Sequence, residues 1–256
     1  MSHIWSIWKR DLFGLFSTWP AYVLLAVYAA AAGMWFYAAL ASFLIRQQQY
    51  QALGAVQYLA QANLNDEVIT PALASCSVIL LVVIPGLAAR SFSQERAGGS
   101  IELLLTSPVR MWEVVLGKFM AIMTTVVLAV GISALYVALL FAYGDPELVR
   151  TLGGLLALLL YATGLAAICC FVSSLTSSMM LAFVLGFVAC LVLLVIGQFS
   201  VENESLRAVL SWISTGTHFE PGIAGQLRSQ DLGYFGALTL AFLTLTHAAT
   251  DSLRWR

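Results

Sequence analysis

The chain has 256 residues, of which 61% are hydrophobic and only 10% are charged. A water-soluble domain has about 45–50% apolar and about 25% charged residues, so lipid must be the solvent for much of this chain. The formal net charge of −1 offers no basic surface, and we expect no nucleic-acid partner. The length allows a single membrane domain, residues 1–256, and leaves little room for a second.

Long stretches without charged residues predict an all-α, polytopic membrane protein with six transmembrane helices. A helix needs about 20 residues to cross the hydrocarbon, and a charge near its centre costs about 2.5–3.5 kcal/mol. Pro20 suits the first turn of the first span. The uncharged stretch 151–201 is too long for one crossing, and its polar residues 173–178 predict a turn between two spans. The predicted spans are residues 20–44, 68–89, 119–143, 151–172, 179–200 and 232–250.

Lysine and arginine are distributed unequally between the two sides of these spans. The two chain ends and the segment between spans two and three carry eight of them, whereas the opposite loops carry four. Because loops rich in positive charge are retained in the cytoplasm, the side with eight is predicted to be cytoplasmic. Both termini would then lie inside, in agreement with an even number of spans.

Two segments outside the spans are expected to lie near the membrane surface. Residues 2–19 alternate apolar and charged groups at helical spacing, and their tryptophans suit an amphipathic helix in the headgroup layer; a helix packed on a partner is the alternative. In the outer loop 201–231, an apolar stripe predicts a helix that either re-enters the outer leaflet or lies flat on it. The stripe consists of Leu206, Val209, Leu210 and Ile213, and a break is predicted after it at Gly216, Pro221, Gly222 and Gly225.

The longest predicted cytoplasmic segment, residues 90–118, joins spans two and three. Ser100 can cap a short helix with Glu102 in its first turn, and Pro108 ends it. Ile101, Leu104 and Leu105 then share one apolar face. The sequence therefore predicts a helix at about residues 100–106, and periodicity alone leaves open whether it docks on a protein or anchors on lipid.

Two other classes of membrane protein are weighed against this composition. An intramembrane serine protease would need Ser133 to meet His247, but the two differ in depth by about 15 Å at 1.5 Å per residue. Ser133 is therefore expected to pack against a neighbouring helix, and His247 to lie near the interface. An ion-coupled carrier would keep charged residues inside its spans, and none of the predicted spans contains one.

Neither a metal site nor a disulfide is expected. The three histidines are scattered over both sides of the predicted spans, and the cysteines lie in apolar runs without a CxxC spacing. We therefore interpret the cysteines as small apolar residues packed between helices. They are Cys76, Cys169, Cys170 and Cys190.

One stretch resembles the signature of ABC-2 type permeases, the membrane subunits of one group of ATP-binding-cassette transporters. It reads Glu95-Arg96-x-x-Gly99-Ser100-Ile101-Glu102-Leu103-Leu104-Leu105-Thr106-Ser107-Pro108-Val109, followed by Val115-Leu116-Gly117-Lys118. The six spans follow the order of that family. The late outer loop resembles the permeases associated with gliding motility in particular, through Thr217-His218-Phe219, Gly225, Asp231 and Tyr234-Phe235.

This resemblance implies a permease subunit that is not itself an enzyme. The short cytoplasmic helix would be a coupling helix docked on a separate ATPase subunit, present in two copies and holding ATP and Mg. The residues implied in this coupling are Glu95, Arg96, Gly99, Ser100, Ile101, Glu102, Leu104, Leu105 and Pro108. The chain itself has no GxxxxGK[ST] phosphate loop, so no cofactor is expected in it.

The resemblance also implies a location and further partners. The chain would lie in the bacterial inner membrane and pair with a second permease, either a copy of itself or a homologue. A periplasmic or membrane accessory subunit is a further candidate partner. The uncharged spans suit export of an apolar, amphipathic or polymeric cargo, and they equally suit a complex that does mechanical work instead of transport.

Overall fold

The computed structural model describes residues 2–54, 63–98, 110–199 and 203–252. Within these ranges every regular element is a helix, which confirms the all-α class. A π-helical turn at Asn65–Ile69 precedes the third helix, and a 3₁₀ turn at Ile196–Gln198 follows the sixth. The α-helices are α1 (Ser2–Phe16), α2 (Trp19–Ala52), α3 (Thr70–Ala97), α4 (Met111–Tyr143), α5 (Leu148–Leu175), α6 (Met179–Val195), α7 (Glu204–Ile213), α8 (Thr215–Ile223) and α9 (Ser229–Ser252).

Six of these helices are long and apolar enough to cross a membrane, as predicted. They are α2, α3 with its π-helical turn, α4, α5, α6 with its 3₁₀ turn, and α9. The chain is therefore a multi-pass membrane protein. The helices run beyond the uncharged stretches, so several charged residues lie in their end turns, including Arg46, Glu95, Lys118 and Asp231.

α5 lies at the centre of the bundle and contacts α3, α4, α6, α8 and α9. Its middle is buried on all sides, with Leu158 and Tyr161 fully covered by neighbouring helices. Alanines at 162, 166 and 167 are buried beside them. Small side chains let helices approach closely in a membrane, where van der Waals contact drives their association.

Contacts between helix ends define two sides of the bundle. The indole of Trp8 on α1 donates a hydrogen bond to Thr124 Oγ1 on α4 at 2.9 Å. His247, near the end of α9, stacks on Trp112 at the start of α4 with ring centroids 4.5 Å apart. We call this end the loop side, because the chain leaves α3 and enters α4 there. The opposite end, with the π-helical turn and helices α7 and α8, is the far side.

The predicted amphipathic segment 2–19 is not a single helix. α1 ends at Phe16, and Trp19 begins α2 with Pro20 in its first turn. The hydroxyls of Ser17 and Thr18 each donate to a carbonyl in the last turn of α1, at 3.2 Å. Carbonyls at a helix end lack intrahelical partners, so these two hydroxyls complete the break.

The predicted turn between spans four and five is shorter than the polar cluster suggested. Ser173 and Ser174 belong to α5, which continues to Leu175, and α6 begins at Met179. The two serines are buried because they bond to α3 and to their own helix instead of facing water. Ser178 caps α6 by accepting the Leu181 N–H at 3.4 Å.

The predicted break at Gly216, Pro221 and Gly222 was wrong, because α8 spans all three residues. Packing against α5 outweighs the weak local helix tendency. A Cβ added at Gly222 would lie 2.7 Å from Ala157 Cβ, so the glycine allows this close packing. α7 and α8 are separated at Ser214, and of the four predicted break residues Gly225 alone lies outside α8; its φ of +81° is a left-handed conformation that favours glycine.

α8 packs along α5. It extends from the far side into the bundle, well past the first turns of α5. Phe219 packs on Tyr161 with ring centroids 4.6 Å apart. Tyr161 lies 13 residues after the start of α5 at Leu148, so about 20 Å along the helix. The Ile223 carbonyl accepts a hydrogen bond from Thr70 Oγ1 at 3.3 Å, which fixes the other end of α8 beside the start of α3.

Candidate functional site

A buried lysine joins three helices at the loop side. Lys118 on α4 is 2% exposed, and its Nζ lies 3.0 Å from Asp11 Oδ2 on α1 and 2.9 Å from Glu95 Oε1 on α3. Nζ also donates to the carbonyl of Ser91 at 2.8 Å. A buried ammonium needs partners for its three donors, and two carboxylates and a carbonyl meet that need.

Arg10 completes this group. Its Nε lies 2.8 Å from Asp11 Oδ1, and its Nη2 lies 2.9 Å from Glu95 Oε1. Burial lowers the pKa of the guanidinium, but the hydrogen bonds and charges of the two acids outweigh that effect and raise the pKa. We call Arg10, Asp11, Glu95 and Lys118 the loop-side ion cluster.

The residue before Lys118 explains how α1 comes so close to α4. A Cβ added at Gly117 would lie 2.7 Å from Ile7 Cγ2 and 3.3 Å from the Ile4 carbonyl oxygen. Any larger residue would therefore push α1 away from the bundle. Gly117 and Lys118 thus have two physical roles. The glycine lets α1 pack closely on α4, and the lysine binds Asp11 of α1.

A second set of contacts fixes the last turns of α3 to α5. The hydroxyl of Ser173 accepts hydrogen bonds from the backbone N–H groups of Phe92 at 3.1 Å and Ser93 at 3.2 Å, and donates to Ala89 O at 3.0 Å. Arg96 Nη1 donates to the Ser174 carbonyl. The end of α3 is therefore bonded to α1, α4 and α5 immediately before the chain enters the segment after Gly98.

Of the residues implied in coupling, the structure describes only Glu95 and Arg96. Both bind other helices of this chain, so a role for them in coupling would be indirect. The remaining predicted residues and the predicted helix at 100–106 lie outside the described residues. They are Gly99, Ser100, Ile101, Glu102, Leu104, Leu105 and Pro108.

Sequence reasoning missed three members of the loop-side ion cluster as partners of Glu95. Arg10 and Asp11 were assigned to an interfacial helix, and Lys118 was noted as the edge of span three and as part of the family signature, without a partner. A weak signal existed, since Lys118 is a lysine that follows a glycine and directly precedes a long apolar run. No local pattern indicates which acids such a lysine binds.

A second polar cluster lies on the far side. His218 Nδ1 on α8 is 2.8 Å from Asp231 Oδ1 on α9, and His218 Nε2 is 3.2 Å from the Trp212 carbonyl oxygen. The Tyr234 ring stacks on His218 with centroids 4.1 Å apart. Phe219 and Phe235 both contact Tyr161 of α5. The structure thus brings together residues of the outer loop and the last span that the gliding-motility resemblance singled out.

Ser133 and His247 do not form a catalytic pair. Ser133 Oγ lies 2.5 Å from the Tyr28 hydroxyl on α2 and donates to Cys76 Sγ at 3.5 Å. His247 stacks on Trp112, which lies 21 residues before Ser133 on α4, so about 31 Å away along the helix. As expected, Ser133 packs against a neighbouring helix, and the geometry gives no support to a serine protease.

Comparison with known proteins assigns the family. A search of curated proteins finds no match to the chain. The profile of the family described as ABC-2 family transporter protein matches residues 5–250, which is nearly the whole chain. The match includes the six spans and the loop-side ion cluster, and it confirms the resemblance at the level of that family. The chain therefore belongs to the ABC-2 family of transporter proteins and is a membrane transport component.

Proposed function

We propose that this chain is the permease subunit of an ATP-binding-cassette transporter, driven by a separate ATPase subunit that acts on the segment between α3 and α4. The family generally works with such an ATPase. The observation that carries the proposal is the loop-side ion cluster, which ties both ends of that segment together. Glu95 lies three residues before Gly98, and Lys118 lies eight residues after Arg110.

This arrangement suits the transmission of force. A displacement of the chain at Gly98 would act on the last turn of α3, which is bonded to α4 through Lys118 and to α5 through Arg96. Lys118 also holds Asp11, so α1 would move with α4. Buried ion pairs resist separation, because removing one partner leaves an uncompensated charge. Glu95 and Arg96 therefore act in this proposal by positioning helices, while residues 99–108 would meet the ATPase.

The proposed complex contains two ATPase copies, which hold ATP and Mg, and a second permease that is either a copy of this chain or a homologue. An accessory subunit on the far side is a further candidate. The proposed cargo is apolar, amphipathic or polymeric, because charged residues of the described spans lie toward their ends. Outward movement is proposed by analogy with the family alone, and mechanical work in place of transport is the alternative. Membership of the gliding-motility group is also proposed, supported by the cluster of His218, Asp231 and Tyr234.

We propose that the loop side faces the cytoplasm of a bacterium, with the chain in its inner membrane. Lysine and arginine are concentrated on that side. In a background without the native cysteines, Gln51→Cys on the far side should react with an impermeant thiol reagent added to intact cells. Ala97→Cys on the loop side should react only after the cells are opened. Both positions are exposed, and the reverse labelling would overturn the orientation.

Glu102→Lys tests the coupling itself. We expect this change to weaken association with the ATPase about tenfold or more and to stop transport, because a charge-assisted hydrogen bond contributes about 1.5–3 kcal/mol. Recovery of the ATPase with the immobilised permease measures the effect, and membrane insertion should be unchanged. Glu204→Lys, an exposed acid on the far side, is the matched control and should recover the ATPase normally.

The lipid-anchor alternative makes the opposite forecast for Glu102→Lys. An added lysine would strengthen attachment to an anionic leaflet, and the complex would remain intact. Equal recovery of the ATPase with transport unaffected would therefore exclude a coupling role for Glu102.

A further inference from the structure

A cavity of about 600 Å³ lies at the loop side, bounded by α1, the break between α1 and α2, the second half of α3 and the first half of α4. The loop-side ion cluster forms part of its wall. A fifth charged residue, Arg90 on α3, also lines it. Its volume lies within the range of small-molecule sites, about 300–1,000 Å³.

The charges around the cavity do not balance. Asp11 and Glu95 are already paired with Arg10 and Lys118. Arg90 has no carboxylate partner in the described part of the chain, and its Nη1 donates to Thr18 Oγ1 at 2.7 Å. A guanidinium carries five N–H donors and suits bidentate binding of a phosphate or carboxylate. Among the described residues, the wall of the cavity therefore carries one excess positive charge, which favours an anion.

The surroundings indicate that this anion belongs to a lipid. The outer face of α1 and the start of α2 expose large aromatic side chains, including Trp5, Phe13 and Trp19. Tryptophan on such a helix suits the headgroup layer, so the cavity lies at the depth of lipid phosphates. Leu15, Leu87 and Ile122 form an apolar wall beside Arg90, which a glycerol backbone and the start of an acyl chain can cover. A free phosphate has no group for that wall.

We propose that this cavity binds the phosphate of an anionic phospholipid from the loop-side leaflet, with Arg90 as the main ligand. Thr18, already bonded to Arg90, belongs to the break between α1 and α2. A lipid held there would join α3 to that break and stabilise the loop side as one unit. This site is separate from the proposed contact with an ATPase and does not depend on it.

Lipid binding by the purified chain in a neutral detergent tests the proposal. Native mass spectrometry should show binding of phosphatidylglycerol to the wild-type chain, and the lipid should raise its Tm. Arg90→Gln keeps a hydrogen-bond donor near Thr18 but removes the charge, and it should bind phosphatidylglycerol about tenfold more weakly or worse. Arg207→Gln, an exposed position on α7, is the matched control and should keep the wild-type affinity.

Three outcomes of the binding measurements would contradict the proposed lipid site. Equal phosphatidylglycerol affinity in the Arg90→Gln and wild-type chains would overturn the site. An equal response to phosphatidylcholine would overturn its preference for an anionic lipid. Glycerol phosphate that binds as tightly as phosphatidylglycerol would assign the cavity to a soluble anion instead. If Arg90→Gln lowers the Tm without lipid, the affinity measured on the folded fraction still decides among these outcomes.

Discussion

Lys118→Met should lower the free energy of unfolding by about 3 kcal/mol or more. The substitution leaves a side chain of similar length but removes the buried cation that Asp11 and Glu95 share. Removing one partner of a buried ion pair costs about 3–5 kcal/mol, because the other charge remains desolvated. The partial exposure of the two acids places the expected loss at the lower end of that range.

Thermal and denaturant unfolding in detergent, followed by tryptophan fluorescence, measure this loss. Lys9→Met is the matched control: Lys9 lies on the exposed side of α1, its ammonium 5.9 Å from the Phe13 ring centroid. We expect Lys9→Met to lower the free energy of unfolding by less than about 1 kcal/mol. Adding Glu95→Gln to Lys118→Met should restore part of the stability, because it removes one of the two carboxylates that the Lys118 ammonium had neutralised. A double variant no more stable than Lys118→Met would contradict this account of the cluster.

Gly225→Ala should destabilise the chain by about 2–5 kcal/mol. The φ of +81° at this position costs an alanine about 1–2 kcal/mol, and overpacking adds about 1–3 kcal/mol. The added Cβ would lie 2.8 Å from Arg150 Cβ and 2.9 Å from Arg150 Cα, so backbone would have to move. That movement would also disturb the ion pair between Arg150 and Asp66, whose Nη2 and Oδ1 are 2.9 Å apart.

Gly54→Ala separates the two contributions to the Gly225 effect. Gly54 has a φ of +66°, and a Cβ there would meet no atom of the described residues within 4 Å. Gly54→Ala should therefore lower the free energy of unfolding by the backbone contribution alone, about 1–2 kcal/mol. The difference between the two variants, measured by the same unfolding experiments, reports the contact between Gly225, in the turn after α8, and Arg150 of α5. Equal losses would show that the close approach at Arg150 contributes nothing.

The number of spans could be predicted because burying a charge in hydrocarbon is costly, which leaves long uncharged stretches in the sequence. The ends of the helices could not be predicted from the same rule. Lys118 and Asp231 lie inside helices and are buried, because Asp11, Glu95 and His218 supply partners from other elements. A charge with a partner no longer marks the end of a helix.

The same limit applies to the candidate site. Glu95 could be singled out because it lies in a segment that resembles a known signature. Its partner Arg10 is 85 residues away, and Lys118 is 107 residues from Asp11. Pairing over such distances depends on how the helices pack, which no single sequence shows. The prediction of a break within α8 was wrong for a related reason. The glycines and proline of α8 disfavour a helix locally, but packing on α5 stabilises it.

The length of α2 enlarges movements that begin at the loop side. Its 34 residues extend about 51 Å, against a hydrocarbon thickness of about 30 Å. Its first turn follows Thr18, which is bonded to Arg90 near the end of α3. A tilt of about 10° at that end would displace the other end by about 9 Å while every hydrogen bond within the helix stayed intact. α2 can thus work as a lever, with its fulcrum at the loop side and its long arm reaching the opposite surface of the membrane.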